Sequence, residues 1–409
     1  MEKRGFFYGY VIVAASFLVM GTMWGTLYTF GVFFKYLLEE FGWTRAGTSG
    51  ALALASVFIG LMSTVTGRLT DRYGPRVVIT VCGVFLGAGF LLLSRVSTLW
   101  QWYLFYGAFI GVGVSGTYVP VTSTIARWFV KRRGMMTGAA IAGLGAGTLA
   151  IPPAVTWLIP IFGWRTSYII VGIIALVLVT SVAQLFRHNP VQMGLKPYGE
   201  PASDAIEFSL PTGFTFWEAI HTSQFWVLCA TWFLYCLSIG AVVAHIVLHG
   251  IGLGLSTTGA ALILSFIGAF STGGRIVLGG IGDRFGYRKT IIACFVLMTG
   301  SLFWLLGAKD QWMLYVFGAV FGFSYGGNAA LFSPFVAEQF GLRSHGVILG
   351  VFMLASGFGE AASPIITGYI FDITKSYYPA FLTWAVLTSV TVLLMLLLKP
   401  VRKRESSSP

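Results

Sequence analysis

The residue best placed to do chemistry in this chain is Arg275, in the stretch STGGRIVLGGIGDRFGYRK from Ser271 to Lys289. Only apolar residues and glycines separate it from Asp283. At about 1.5 Å per helical residue that spacing puts it roughly 12 Å inside the charged rim, near the middle of a hydrocarbon core about 30 Å thick. A guanidinium there costs at least about 3 kcal/mol in lipid, so it should face a polar cavity. Its planar fork offers a two-point contact to a carboxylate. Tyr118, nine residues before Arg127, and Asn328, ten before Glu338, reach a similar depth. Both offer hydrogen bonds to an anion held on Arg275, with a helix–helix hydrogen bond as the alternative. Tyr325 and Tyr28 fall farther from the charged rim, as a lid over such a site or as ordinary packing aromatics. Glu360 is the one carboxylate well inside an apolar stretch. It is a candidate proton carrier, or else a tie between two helices. His245 can change charge near neutral pH and is a second candidate, with a purely steric use as the alternative.

The elements that must position these groups follow from composition. The chain has 409 residues, of which 56% are hydrophobic and 10% charged, with apolar runs along most of its length. That pattern implies an all-α polytopic membrane protein. The start, MEKRGFFYGYVIV, is basic, but its apolar run is long and lacks a clear small-residue cleavage site, so it reads as the first span. The four cysteines all lie in apolar stretches and show neither a disulfide framework nor a metal-ligand spacing. No cofactor is implied.

Twelve helical stretches are predicted, with approximate starts at Tyr8, Ala46, Val77, Trp100, Gly134, Ser167, Gln224, Ser256, Thr290, Gln311, Val347 and Tyr377. One long polar segment, rich in proline, glycine and acidic residues, separates the sixth from the seventh. The expected division is a six-helix half over 1–186, a central loop over 187–222, a second six-helix half over 223–400 and a basic tail over 401–409.

The net charge of +12 would suggest nucleic acid in a soluble chain, but the basic residues gather in short loops. Nineteen of the 26, including Lys3, Arg4, Arg127, Arg133, Arg402, Lys403 and Arg404, fall at one face. Six fall at the other: Lys35, Arg45, Arg95, Arg165, Lys309 and Lys375. By the positive-inside rule the first face is cytoplasmic, and with an even helix number both termini lie there. The expected location is a cell membrane, as a multi-pass protein of the bacterial inner membrane, with no nucleic-acid partner.

The two halves repeat. GRLTDRYGPR at Gly67–Arg76 recurs as GGIGDRFGYR at Gly279–Arg288, a shift of 212 positions. The same shift carries Gly134, Gly138, Gly145, Gly147 and Pro152 onto Gly346, Gly350, Gly357, Gly359 and Pro364. Two similar six-helix halves imply a pair of bundles that rock about a site near the midplane between them. In the motifs, Gly67, Asp71, Arg72, Gly74 and Arg76, with Gly279, Asp283, Arg284, Gly286 and Arg288, read as gating elements. The acids would cap or pair with neighbouring helix ends. The glycines of the fifth and eleventh helices read as close-packing positions.

The repeated G-x-[LI]-x-D-R-x-G-x-R resembles the loop motif of the major facilitator superfamily over the whole chain. WFVKRRGMMTGAAIAG at Trp128–Gly143 resembles the fifth-span signature of its monocarboxylate transporter family through Lys131, Arg132, Arg133, Gly138, Ala140, Ala142 and Gly143. Met135 and Met136 replace the usual Leu-Ala. The resemblance implies that Arg275 is the substrate-binding arginine. The oxalate:formate antiporter branch is similar in the same residues. Tyr28 stands where animal members carry a lysine and Ser271 where they carry an aspartate. The second lysine that the oxalate branch has in its eleventh span has no counterpart.

No HExxH, Gly-x-Ser-x-Gly, cysteine–histidine cluster or P-loop occurs, so neither an embedded enzyme nor a nucleotide-driven pump is implied. The expected function is alternating-access transport of a small monocarboxylate, lactate or pyruvate, with a proton, by a monomer. Oxalate:formate exchange and a transporter-like receptor are the alternatives.

Overall fold

The computed structural model describes residues 7–200 and 213–399. Lys3, Arg4, Arg402, Lys403 and Arg404 lie outside the described residues, as do the middle of the expected central loop and the expected tail. Among the described residues, helices form twelve spans. In the first half these are span 1 (Gly9–Phe41), span 2 (Arg45–Tyr73), span 3 (Pro75–Leu93), span 4 (Leu99–Trp128), span 5 (Arg133–Phe162) and span 6 (Trp164–Ala183). In the second they are span 7 (Ser223–Gly252), span 8 (Thr257–Phe285), span 9 (Tyr287–Gly307), span 10 (Gln311–Phe340), span 11 (His345–Thr374) and span 12 (Tyr378–Leu397). Every start lies within a few residues of the expected one. Eleven are long and apolar enough to cross a membrane. Span 10 is the exception, because Ser324, Tyr325, Asn328 and Ser333 are spent on its inward face instead of on lipid.

Local chemistry explains the ends. The Thr44 hydroxyl accepts from Gly47 N at 3.1 Å to start span 2, and the Ser256 hydroxyl accepts from Gly259 N at 3.1 Å to start span 8. The turns after spans 2 and 8 rest on the motif glycines Gly74 (φ 84°) and Gly286 (φ 96°), in the region where a side chain is strained. Pro75 then opens span 3 at the first helical position, where its missing N–H costs nothing.

Two regular elements are interrupted. Span 1 is interrupted at Tyr28–Thr29. Span 4 contains a π-helical stretch, Tyr103–Ile110, and breaks at Gly116–Thr117 before resuming as Tyr118–Trp128. Pro120 contributes to the second break: it has no N–H for the carbonyl of Gly116, four residues back, and its ring crowds that carbonyl, although Pro152, Pro334 and Pro364 sit inside helices that continue.

Two apolar cores form. One draws on spans 1 to 6, with Val19, Phe90, Trp102, Trp128 and Tyr168 among its buried residues. The other draws on spans 7 to 12, with Trp232, Phe295, Phe321, Phe352 and Trp384. Packing between them runs through spans 2 and 11, spans 5 and 8, and the inner parts of spans 4 and 10.

Candidate functional site

At the basic end the two repeated motifs do the same job with opposite partners. Asp71, ending span 2, accepts from the backbone N–H groups of Gly346 (3.1 Å) and Val347 (3.0 Å) at the start of span 11. Asp283, ending span 8, accepts from Gly134 N (2.7 Å) and Met135 N (2.8 Å) at the start of span 5. Each carboxylate therefore sits on the positive end of a helix dipole belonging to the other half. Asp71 also pairs with Arg127 of span 4 at 2.6 Å, and Asp283 accepts from the Tyr287 hydroxyl at 2.8 Å. The first motif glycines permit this approach: a methyl at Gly67 would strike the Gly346 carbonyl, and one at Gly279 the Gly134 carbonyl.

The motif arginines serve other ends. Arg76 donates to Gln184 at 2.7 Å, and Arg288 donates to the carbonyls of Met395 and Leu396 at the end of span 12. Arg72 and Arg284 lie over the rings of Tyr73 and Phe285. His188, against Gly74 in the loop after span 6, is held well below the usual imidazole range, at about 4, by burial and by the charge of Arg127.

Arg275 lies on the seam between the halves. Its backbone carbonyl abuts Gly138 of span 5, and a methyl at Gly145 would lie 3.6 Å from its Nη1. The residue is 2% exposed, yet Nε and Nη1 have no hydrogen-bond partner and no carboxylate pairs with it among the described residues. Its guanidinium carbon lies 5.5 Å from the centre of the Tyr325 ring, a cation–π contact. The Tyr325 backbone carbonyl accepts from the Tyr235 hydroxyl of span 7 at 2.8 Å, fixing that stretch of span 10.

The other sequence candidates divide. Tyr28, Tyr118 and Tyr325 all feel the Arg275 charge, and Tyr28 and Tyr325 also feel Glu360. Tyr28 is 48% exposed and Glu360 is exposed too, although both lie deep in the bundle. Spans 1 and 7 do not pack extensively against each other. Tyr28 and Glu360 thus keep accessible surface, while Arg275 is buried. Asn328 is 1% exposed, and neither its side-chain oxygen nor its nitrogen has a partner. The Tyr118 hydroxyl donates to the Ala329 carbonyl at 2.8 Å, a bond between spans 4 and 10 across the seam. His245 is engaged elsewhere, through Nε2 with the Pro364 carbonyl at 3.0 Å and through Nδ1 with the Tyr377 hydroxyl at 3.4 Å.

Two neighbours escaped the sequence reading. Cys236, opposite Glu360, reads from sequence only as an apolar residue. Trp24, whose indole N–H donates to the Thr117 hydroxyl at 3.0 Å, would read as an interfacial aromatic. The pairing of Gly116 with Pro120 four residues on was the signal available for the broken span 4.

The sequence model of the Major Facilitator Superfamily matches residues 12–284 and 271–409. The chain is 28% identical to human monocarboxylate transporter 11 over 387 residues, 92% of this chain and 79% of that protein. It is 25% identical to the oxalate:formate antiporter of Oxalobacter formigenes over 406 residues, 98% of this chain and 94% of that one. In structure it is similar to the transporter FucP in the outward conformation, with a TM-score of 0.72 at 14% identity, covering 96% of this chain and 100% of the other. It is likewise similar to the human organic anion transporter MFSD10, with a TM-score of 0.71 at 13% identity, covering 95% and 99%. With this fold and no enzyme among these relatives, the chain is a multi-pass membrane transporter that belongs to the major facilitator superfamily, related to the monocarboxylate transporters and to the oxalate:formate antiporter.

Proposed function

We propose that this transporter carries a small monocarboxylate, L-lactate or pyruvate, together with a proton, by alternating access. The observation that carries this reading is Arg275: a charged guanidinium on the seam between the halves, buried, with two donors unspent. A carboxylate spends those donors in a bidentate contact and neutralises the charge. Empty, the charged floor disfavours the occluded form; loaded, it does not, so substrate lowers the barrier to rocking. A second carboxylate would face no second buried cation, and its desolvation costs several kcal/mol. Asn328, with both polar groups free, suits the oxygen beside the carboxylate of a 2-hydroxy or 2-keto acid.

In this reading Glu360 takes the proton, because a charged carboxylate sharing Tyr28 and Tyr325 with Arg275 would compete with the anion. His245 is the weaker candidate, since both its ring nitrogens are engaged. The basic end is cytoplasmic, with both termini there, and the accessible side at Tyr28 and Glu360 is the mouth of an outward-facing cleft with Arg275 at its floor. The membrane is a bacterial inner membrane and the working unit a monomer. Residues 1–186 and 223–400 are the rocking halves, with the segment between them as linker, and the Asp71 and Asp283 motifs form the inner gate.

The oxalate:formate antiporter among the relatives supports exchange of oxalate for formate as the second reading. Competition against labelled L-lactate uptake in proteoliposomes by pyruvate, acetate, formate, oxalate and succinate at equal concentration separates the two. Pyruvate should compete best. Stronger inhibition by oxalate or succinate rejects the single-carboxylate reading, and binding without counterflow identifies a receptor.

A further inference from the structure

The break in span 4 starts a second helix inside the protein, and its first backbone donors have no intrahelical partner. In an unbroken helix the N–H groups of Tyr118 and Val119 would donate to the carbonyls of Val114 and Ser115. Here the Val114 carbonyl already accepts from the Thr117 backbone N–H at 3.1 Å and from the Thr117 hydroxyl at 2.7 Å. The Ser115 carbonyl accepts from the Thr66 hydroxyl of span 2 at 3.1 Å. Thr117, in the cap position at φ −102° and ψ −80°, makes no capping bond to the new helix. Its hydroxyl is held instead by Val114 and by the indole of Trp24. The third residue of the new helix is Pro120, which has no N–H, so Tyr118 and Val119 carry the backbone donors that this helix start leaves without an intrahelical partner.

The eleven residues Tyr118–Trp128 thus form a half-helix whose positive end lies inside the protein and not at a membrane surface. That end is at the seam. The Tyr118 hydroxyl reaches Ala329 of span 10, and its phenol feels the charge of Arg275. Arg275 supplies an independent sign of a ligand, being 2% exposed with Nε and Nη1 free. Asn328, beside Ala329, adds a buried amide with no partner. Tyr325, which Arg275 faces, lies one turn before Ala329 on span 10, so the guanidinium and the residue that starts the half-helix meet the same stretch of that span.

We propose that the backbone N–H groups of Tyr118 and Val119 are part of the anion seat, so that a bound carboxylate is shared between the Arg275 guanidinium and the start of this half-helix. The inference rests on the reading of Arg275 as the substrate arginine and deepens it. The helix end supplies positive potential that, unlike a second lysine, adds no full charge to be desolvated when the site is empty. It also gives Pro120 a role in binding, since the proline keeps these two N–H groups out of the helix.

The test removes one N–H and keeps every side chain. Replacing Val119 by its α-hydroxy acid through nonsense suppression turns that amide into an ester. Equilibrium binding of labelled L-lactate and pyruvate to the purified full-length protein should then weaken about tenfold, the loss expected for one hydrogen bond to a charged group. The same change at Ala126, within the half-helix, should leave the dissociation constant unaltered. Pro120→Ala, which lets the helix close and reclaim the donors, should weaken binding in the same direction while the protein stays monodisperse. An unchanged constant in the Val119 ester overturns the proposal. Arg275→Ala, measured in parallel, distinguishes the causes: if it too binds normally, the assignment of Arg275 itself has failed.

Discussion

The guanidinium of Arg275 lies 5.5 Å from the centre of the Tyr325 ring, its one cation–π partner among the described residues, while Nε and Nη1 have no hydrogen-bond partner. A cation–π contact of this kind contributes about 1–2 kcal/mol in a desolvated setting, less than burial of the charge costs. On the proposed reading the site is therefore left wanting an anion, and Tyr325 also feels the charge of Glu360.

Removing the charge should end transport without unfolding the chain, because a smaller neutral side chain leaves no unpaired ion behind. Arg275→Ala is expected to assemble normally by size-exclusion chromatography and to lose lactate uptake by at least about a hundredfold, the loss of a charge-assisted bidentate contact. Arg275→Lys should also be severely impaired, since a point charge lacks the fork. Near-normal uptake by Arg275→Ala would remove the site assignment.

Coupling should separate from binding at Glu360. Glu360→Gln is expected to abolish uptake driven by a pH gradient while retaining exchange of labelled for unlabelled substrate. His188, held at about 4, is neutral from about pH 5.5 to 8. His188→Gln should accordingly leave the pH profile of uptake unmoved. Gradient-driven accumulation that survives Glu360→Gln returns Glu360 to a structural role.

At the basic end, Asp71→Asn removes the partner of a buried Arg127 and weakens two bonds to span 11, which should favour opening there by about 1–3 kcal/mol. A cysteine at Tyr28 reports it: labelling from the cleft side should slow in the Asp71→Asn background. Asp283→Asn should act alike through span 5. An unaltered labelling rate in both would show that the motifs do not latch this form.

Gly138→Val should be more drastic than any gate mutation, because its side chain would occupy the space of the Arg275 carbonyl. Spans 5 and 8 could then not close, and loss of exchange with normal membrane insertion is expected. Full exchange activity in this variant would show that the seam tolerates separation at Arg275.

Orientation can be read with an impermeant thiol reagent in a background lacking the four native cysteines. Met193→Cys, in the exposed loop after span 6, should be protected in intact cells, and Lys309→Cys, between spans 9 and 10, should react. The reverse pattern overturns the cytoplasmic assignment of the basic end.

The sequence by itself determined what is local or periodic. Hydropathy over some twenty residues marks each span because lipid demands it segment by segment. The 212-position repeat pairs Asp71 with Asp283, and the spacing from Asp283 gives the depth of Arg275. What only the tertiary structure decided are relationships across the seam. That Asp71 caps span 11 and Asp283 span 5, each in the other half, depends on how two bundles meet. That the Tyr118 hydroxyl is claimed by Ala329 while Asn328 is left free depends on rotations of spans 4 and 10 about their axes, which hydropathy does not set when both faces are buried. The break at Gly116–Thr117 belongs to both: Pro120 dictates that a hydrogen bond is missing, but only the fold decides that the Ser115 carbonyl is engaged by Thr66 and the Thr117 hydroxyl by Trp24.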